Sequence, residues 1–248
     1  MKKLLSTAIA TALTATGLLA TSATLNTAAA EVAFNAGVMS QYIFRGMTLR
    51  DTAAFNGGVD YTHNSGIYLG LWAAQVGFGT QTSAGLEYDI YGGYKTSLGG
   101  FDLGAGFTSY NYTEKYKASN TTGFDSSYQE LNFSAGYGPI SLTVNPGYHE
   151  GVDGMKNKDY IFYSLKGEYK GLYALYGAFD KKAEANKGTA SAFDARKDGS
   201  YIQAGYKTSV SGFDLDMYLI NSSKELNMTA TGGNKDYMTG VFAISKAF

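Results

Sequence analysis

The sequence predicts an all-β protein, a transmembrane antiparallel β-barrel of about twelve strands with short periplasmic turns and long extracellular loops. Three observations predict it: an export-type leader, a period-two alternation of apolar and polar residues through the rest of the chain, and connections that sort by length into two alternating classes.

The leader comes first. Lys2 and Lys3 precede an apolar, Ala- and Thr-rich stretch from Leu4 to Ala20, and Ala28-Ala29-Ala30 stands before Glu31. A positive segment, an apolar segment and small residues, in that order, read as a cleavable secretory signal over 1–30. The alternative is a membrane anchor, but threonines interrupt the stretch and it falls short of the ~20 apolar residues that a spanning helix needs. Residues 31–248 are then expected to form a single outer-membrane barrel, since all-β barrels can run to ~200–250 residues without dividing.

Loss of Lys2 and Lys3 with the leader takes the formal net charge from −1 to −3, too weakly acidic a balance for a nucleic-acid partner. An exported chain without cysteine must draw its stability from something other than disulfides. Its 32 glycines, 21 tyrosines and 14 phenylalanines against two prolines suit strands, tight turns and aromatic belts. Beyond the leader no stretch reaches the ~18 apolar residues of a spanning helix. A membrane crossing must therefore use strands, whose backbone groups are all satisfied in lipid only when the sheet closes on itself.

The alternation opens at Val32, Phe34, Ala36, Val38, Ser40, Tyr42 and Phe44, set against Ala33, Asn35, Gly37, Met39, Gln41, Ile43 and Arg45. One face is greasy and the other small or polar, the mark of a strand with different solvents on its two sides. The contrast recurs in Phe55, Val59 and Tyr61 against Asn56, Asp60 and Thr62, in Leu86, Tyr88, Ile90 and Tyr94 against Glu87, Asp89 and Lys95, and in Phe213, Leu215, Met217 and Leu219 against Asp214 and Asp216.

A soluble β-sandwich alternates too, so the connections carry the distinction. Strands are expected at 32–45, 54–63, 67–76, 83–95, 101–112, 127–137, 140–149, 159–169, 172–181, 199–208, 213–222 and 236–248. Every second connection is then a tight turn: His63-Asn64-Ser65-Gly66, Ser97-Leu98-Gly99-Gly100, Gly138-Pro139, Lys170-Gly171 and Ser209-Val210-Ser211-Gly212. The others are generally longer and hydrophilic, as in 113–126, 150–158, 182–198 and 223–235. An even strand count with sorted loops is expected of a bacterial outer-membrane barrel, and a sandwich has no reason to sort them.

The stretch 94–103, Tyr-Lys-Thr-Ser-Leu-Gly-Gly-Phe-Asp-Leu, returns at 206–215 as Tyr-Lys-Thr-Ser-Val-Ser-Gly-Phe-Asp-Leu. Two readings stay open, one turn solution used twice or a duplicated half-barrel. In the last strand Phe242, Ile244 and Phe248 share the apolar parity and look like a barrel-assembly signal. Lys246 falls on the same parity, where its ammonium can reach headgroups at the rim.

With these blocks in view the chain resembles the TorF family of porin-like proteins, first described only as a conserved proteobacterial family of unknown function. The resemblance rests on 40–48 (Ser-Gln-Tyr-Ile-Phe-Arg-Gly-Met-Thr), 57–61 (Gly-Gly-Val-Asp-Tyr), 66–73 (Gly-Ile-Tyr-Leu-Gly-Leu-Trp-Ala) and 87–94 (Glu-Tyr-Asp-Ile-Tyr-Gly-Gly-Tyr). Leu49 departs from it, standing where Gln is expected, and no Pro precedes Gly57-Gly58. The resemblance implies a barrel and a pore and carries no substrate.

If the apolar parity faces lipid, the lumen receives Asp60, Glu87, Asp89, Asp102, Glu130, Glu168, Asp214 and Asp216 against Arg45, Lys95 and Lys166. Such a charged lining predicts a porin-like channel for passive diffusion of small hydrophilic solutes or ions, mildly cation-selective. The alternative lining is a self-neutralised plug in which Arg45 pairs with Asp60, Glu87 or Asp89, since a barrel of this size is narrow.

Two other function classes are weighed. The first is a non-conducting structural or adhesive barrel. The second is an outer-membrane phospholipase-type enzyme, for which His63-Asn64-Ser65 is the local candidate, but turn composition explains those residues without catalysis. His149 beside Glu150 is far in sequence from His63, so no metal cluster is expected, and no cofactor. The expected partners are outer-membrane lipid and lipopolysaccharide (which Lys181-Lys182 and Arg196-Lys197 could touch), the outer-membrane assembly machinery, and small solutes or ions. Trp72 is expected as an interface anchor or a barrel packing residue.

Overall fold

The computed structural model describes residues 30–77, 85–113, 127–150, 158–180, 199–227 and 235–248. The expected leader up to residue 29, Lys181-Lys182, Arg196-Lys197 and most of each long loop beyond the first lie outside the described residues.

Twelve strands close into one antiparallel barrel, β1 (Ala30–Met39), β4 (Ala54–His63), β5 (Ile67–Val76), β6 (Gly85–Leu98), β7 (Phe101–Tyr112), β8 (Tyr128–Tyr137), β9 (Ile140–His149), β10 (Lys158–Tyr169), β11 (Leu172–Phe179), β12 (Ser200–Val210), β13 (Phe213–Ser222) and β14 (Tyr237–Ala247), which returns to β1. A separate hairpin, β2 (Tyr42–Phe44) and β3 (Met47–Arg50), is inserted between β1 and β4. The all-β class and the twelve barrel strands agree with the sequence expectation, and five of the strands keep its bounds.

One expected strand is corrected. The run 32–45 does not continue as a single strand: β1 stops at Met39, and the chain turns inward to form the hairpin. Its tip is Arg45-Gly46, with φ 49° and φ 81°, the pair of positive φ values that a two-residue type I′ turn requires. Past Met39, Tyr42 and Ile43, then Met47 and Leu49, put apolar side chains in the hairpin on both parities, and the segment is buried on both sides.

Three turns at the opposite end use the same geometry: Gly99-Gly100, Lys170-Gly171 and Ser211-Gly212 all have positive φ at both central residues. This turn type matches the right-handed strand twist and fixes the register of the flanking strands. The sequence echo falls on two of them, each with one added contact: the Ser97 hydroxyl donates to Asp102 at 2.5 Å, and the Ser209 hydroxyl donates to Asp214.

The outward face is an uncovered apolar belt that includes Phe34, Leu69, Leu71, Leu131, Leu165 and Leu219, each about half open or more. The inward face pairs tyrosines with glycines. A Cβ on Gly70 would stand 2.3 Å from the Tyr91 ring, one on Gly177 would stand 2.4 Å from the Tyr201 ring, and Gly205 leaves the same space for the Tyr173 hydroxyl. Glycine thus lets an aromatic ring lie flat along the wall, so the ring lines the lumen instead of crossing it.

The seam is closed by the last residue. Phe248 N–H donates to the Phe34 carbonyl at 2.8 Å, and Phe34 N–H donates to the Phe248 carbonyl at 3.2 Å. Phe242, Ile244 and Phe248 lie on the outward face, and Lys246 places its ammonium 5.3 Å and 5.5 Å from the Phe213 and Phe248 ring centroids. Deletion of Phe248 removes both seam hydrogen bonds, about 1 kcal/mol each, whereas Phe248→Ala keeps them. The folded fraction on unheated gels is therefore expected to fall more for the deletion than for the alanine variant.

Candidate pore and its inserted hairpin

The hairpin crosses the lumen near the long-loop end. Tyr42, Ile43, Met47, Thr48 and Leu49 are at most 4% exposed, packed among Tyr112, Tyr160, Phe162, Tyr201, Tyr218 and Leu226. Its contacts reach several walls of the barrel. The Tyr42 hydroxyl donates to Glu87 Oε1 on β6 at 2.6 Å, and its ring meets Trp72 of β5 edge-on at 5.6 Å between centroids. Phe44 meets Tyr110 of β7 at 5.3 Å. Trp72 is thus a packing residue of the interior.

Arg45 at the tip is held most firmly. Both terminal nitrogens donate to Glu130 of β8, Nη1 to Oε1 and Nη2 to Oε2, the latter at 2.8 Å. Glu130 also accepts from the Tyr160 hydroxyl at 2.7 Å and from the Tyr110 hydroxyl at 3.3 Å, so both of its oxygens are doubly engaged. The guanidinium lies 4.0 Å from the Phe162 ring centroid and 4.9 Å from that of Phe44. A bidentate pair of this kind specifies orientation as well as attraction. The buried location makes removal of one partner costly, because the other is left as an uncompensated charge.

Gly46 is required on two counts. Its φ is positive, and a Cβ would stand 2.7 Å from Leu226 and 3.0 Å from Tyr201. Leu226 belongs to a short 3-10 helix, Lys224–Leu226, in the β13–β14 connection. That helix sets an apolar side chain on the hairpin tip from above.

Below the hairpin, toward the short turns, the interior is polar and partly open. Asp60 accepts from Tyr91 at 2.5 Å and from Asn35 at 3.3 Å. Lys95 lies 4.7 Å from the Tyr68 ring centroid. Lys166 pairs with Glu168 at 2.5 Å, and Lys207 with Asp216 at 3.8 Å, while the Tyr173 hydroxyl donates to Asp216 at 3.0 Å. These side chains keep solvent access inside the wall, 23% and 35% for the first pair and 17% and 11% for the second. The hairpin therefore narrows the barrel at one level, and the interior keeps solvent access at another.

Asp60, Glu87, Asp89, Lys95, Asp102, Glu130, Lys166, Glu168, Asp214 and Asp216 all occupy the inward parity of their strands, and Arg45 enters the same interior from the hairpin. Arg45 is brought to Glu130, not to Asp60, Glu87 or Asp89, which corrects the expected pairing. The hairpin turn carries its tip past β6 as far as β8.

Sequence reasoning missed the inward Lys207 and Glu31, although each shares parity with polar lining residues that strict alternation could have flagged. It also missed the inward tyrosines, which look like lipid-belt residues until their parity is counted. His63 and Ser65 do meet, Nδ1 to Oγ at 2.8 Å, but in an exposed short turn where Ser65 N–H also donates to the same nitrogen. Among the described residues no group of three or more His, Cys, Asp or Glu side chains could hold a metal ion.

Several solved structures show a partial likeness to this chain. The outer membrane protein OpdK of Pseudomonas aeruginosa shares 16% identity over 79% of this chain and 58% of its own, with TM-score 0.40. OccK2 (OpdF) of the same organism, crystallised with glucuronate, shares 16% identity over 90% of this chain and 67% of its own, with TM-score 0.41. A BenF-like porin of Pseudomonas fluorescens Pf-5 shares 14% over 90% and 64%, with TM-score 0.40. The chain thus spans a little over half the length of OpdK. No curated protein matches it. The model of a family described as "Bacterial protein of unknown function (Gcw_chp)" matches residues 23–178, a span that holds the hairpin, Glu87, Asp89 and Glu130. The chain belongs to this Gcw_chp family of bacterial proteins.

Proposed function

We propose that the protein is a porin-like channel of the bacterial outer membrane, passing small hydrophilic solutes or ions by passive diffusion with a mild preference for cations. The observation that carries this reading is the charged wall below the hairpin, where Lys166, Glu168, Lys207 and Asp216 face the interior and keep solvent access. A barrel kept only for stability would gain by filling that space with apolar side chains.

The cation preference follows from an inward lining in which acids outnumber bases even with Lys207 added. Export under a cleaved leader, assembly through the Phe248 strand, and contact with lipopolysaccharide at the long-loop rim belong to the same reading, which the TorF-family resemblance supports. It assigns the chain no enzymatic step and no cofactor.

Planar-bilayer recording of the purified, heat-modifiable barrel across a KCl gradient tests it. A cation-signed reversal potential is the expected result, and an anion-signed one, or no conductance, would overturn it. A second reading, a non-conducting structural or adhesive barrel, is favoured by the packing of the hairpin against the lumen wall at the long-loop end. On that reading liposomes carrying the protein swell in sugars and amino acids no faster than empty vesicles.

A further inference from the structure

Beside the Arg45–Glu130 pair the interior holds more negative charge than that pair uses. Glu87 and Asp89 project from alternate positions of β6 into the same interior and are 0% and 2% exposed. Glu87 accepts from Tyr42 at 2.6 Å through Oε1 and also from Tyr112, while its Oε2 is buried with no hydrogen-bond partner. Asp89 Oδ1 is buried without a partner as well. Among the described residues the cation within electrostatic reach of Asp89 is Arg45, and Glu130 engages both of its terminal nitrogens. Among the described residues two carboxylates are thus enclosed among aromatic rings with an open oxygen on each and no cation of their own, and a buried anion without a counter-charge is strongly disfavoured.

We propose that Glu87 Oε2 and Asp89 Oδ1, together with the phenol oxygens of Tyr42 and Tyr112, form a binding site for a monovalent alkali cation at the root of the hairpin. Each feature suits that class. The open oxygens are hard ligands, and a Tyr42 hydroxyl that has donated its proton to Glu87 still has lone pairs for a cation. Mg²⁺ sheds its water reluctantly, which disfavours it in so enclosed a site. Because Tyr42 belongs to the hairpin and Glu87 to the wall, a bound ion ties the two together, so occupancy stabilises the inserted state.

This inference goes beyond the transport reading and is tested without conductance. The detergent-folded barrel is melted at pH 8 in NaCl, KCl, CaCl₂ or N-methylglucamine chloride at matched ionic strength. The expected result is a saturable upward shift of Tm with Na⁺ or K⁺ relative to the bulky organic cation. In Glu87→Gln and Asp89→Asn that shift is lost, while Tm in N-methylglucamine is higher than for the unmodified protein because a buried charge has gone. Equal Tm in all salts, a larger response to Ca²⁺, or a saturable shift that survives in Asp89→Asn would each overturn the site. So would an N-methylglucamine sample that is stabilised at pH 5 while Na⁺ and K⁺ have no effect at pH 8, since protons would then be neutralising the pair.

Discussion

Arg45→Ala is expected to release the hairpin while leaving the barrel closed. The substitution leaves Glu130 buried with two tyrosine donors and no cation, beside Glu87 and Asp89. Removing one partner of a buried ion pair costs about 3–5 kcal/mol, and loss of the cation from above the Phe162 ring adds roughly 0.5–2 kcal/mol. Two sets of contacts could yield to that cost. The barrel strands are tied by continuous backbone ladders on both sides, so they resist. The hairpin is joined to the wall through side chains, among the described residues, apart from the Gly77 N–H that donates to the Leu49 carbonyl at 2.9 Å. The hairpin should therefore leave first. Chymotrypsin is expected to cut Arg45→Ala at Tyr42 or Phe44 and to spare the unmodified protein, while both keep the heat-modifiable band. Arg45→Lys, which keeps the charge and loses the bidentate fork, should fall between them. Equal protection of all three proteins would show that the ion pair does not hold the hairpin.

The barrel was legible because each strand obeys one local rule and each turn another. Period-two alternation places Glu87, Asp89 and Lys95 on one face of β6 without knowledge of any partner, and the x-Gly turns mark where strands reverse. The hairpin broke that reading at its least visible point. Phe34, Ala36, Val38, Ser40, Tyr42 and Phe44 continue a single parity through the place where the chain leaves the wall. The signal lies in the run Tyr42-Ile43-Phe44, which puts apolar side chains on both parities, and in Arg45-Gly46 as a turn dipeptide. The partner of Arg45 was beyond such reasoning. Glu130 lies 85 residues away, and alternation puts it on the same footing as every other inward acid. Lys207 marks the opposite case: its parity was readable, and Asp216 faces it directly across β12 and β13.

Replacement of residues 41–52 by a short Gly-Ser connection should widen the path through the barrel. The segment removes Tyr42, Ile43, Met47, Thr48 and Leu49 from the lumen together with Arg45, and the walls it leaves behind are closed by backbone pairing that does not involve it. Met39 and Ala54 are paired neighbours on β1 and β4, so a short connection joins them without moving either strand. With the obstruction gone, the path is set by the wall tyrosines and by Glu87, Asp89 and Glu130, now facing water with no Arg45 among them. Two changes are then expected in single-channel records: a several-fold higher, steadier conductance, and a reversal potential shifted further toward cation preference, because one base has left an acidic lining. The two readouts separate causes. Higher conductance with unchanged selectivity would mean that the hairpin obstructs the path but the acids at its root do not govern which ions pass. Unchanged conductance would mean that the hairpin is not the barrier, and would move the constriction to the long loops.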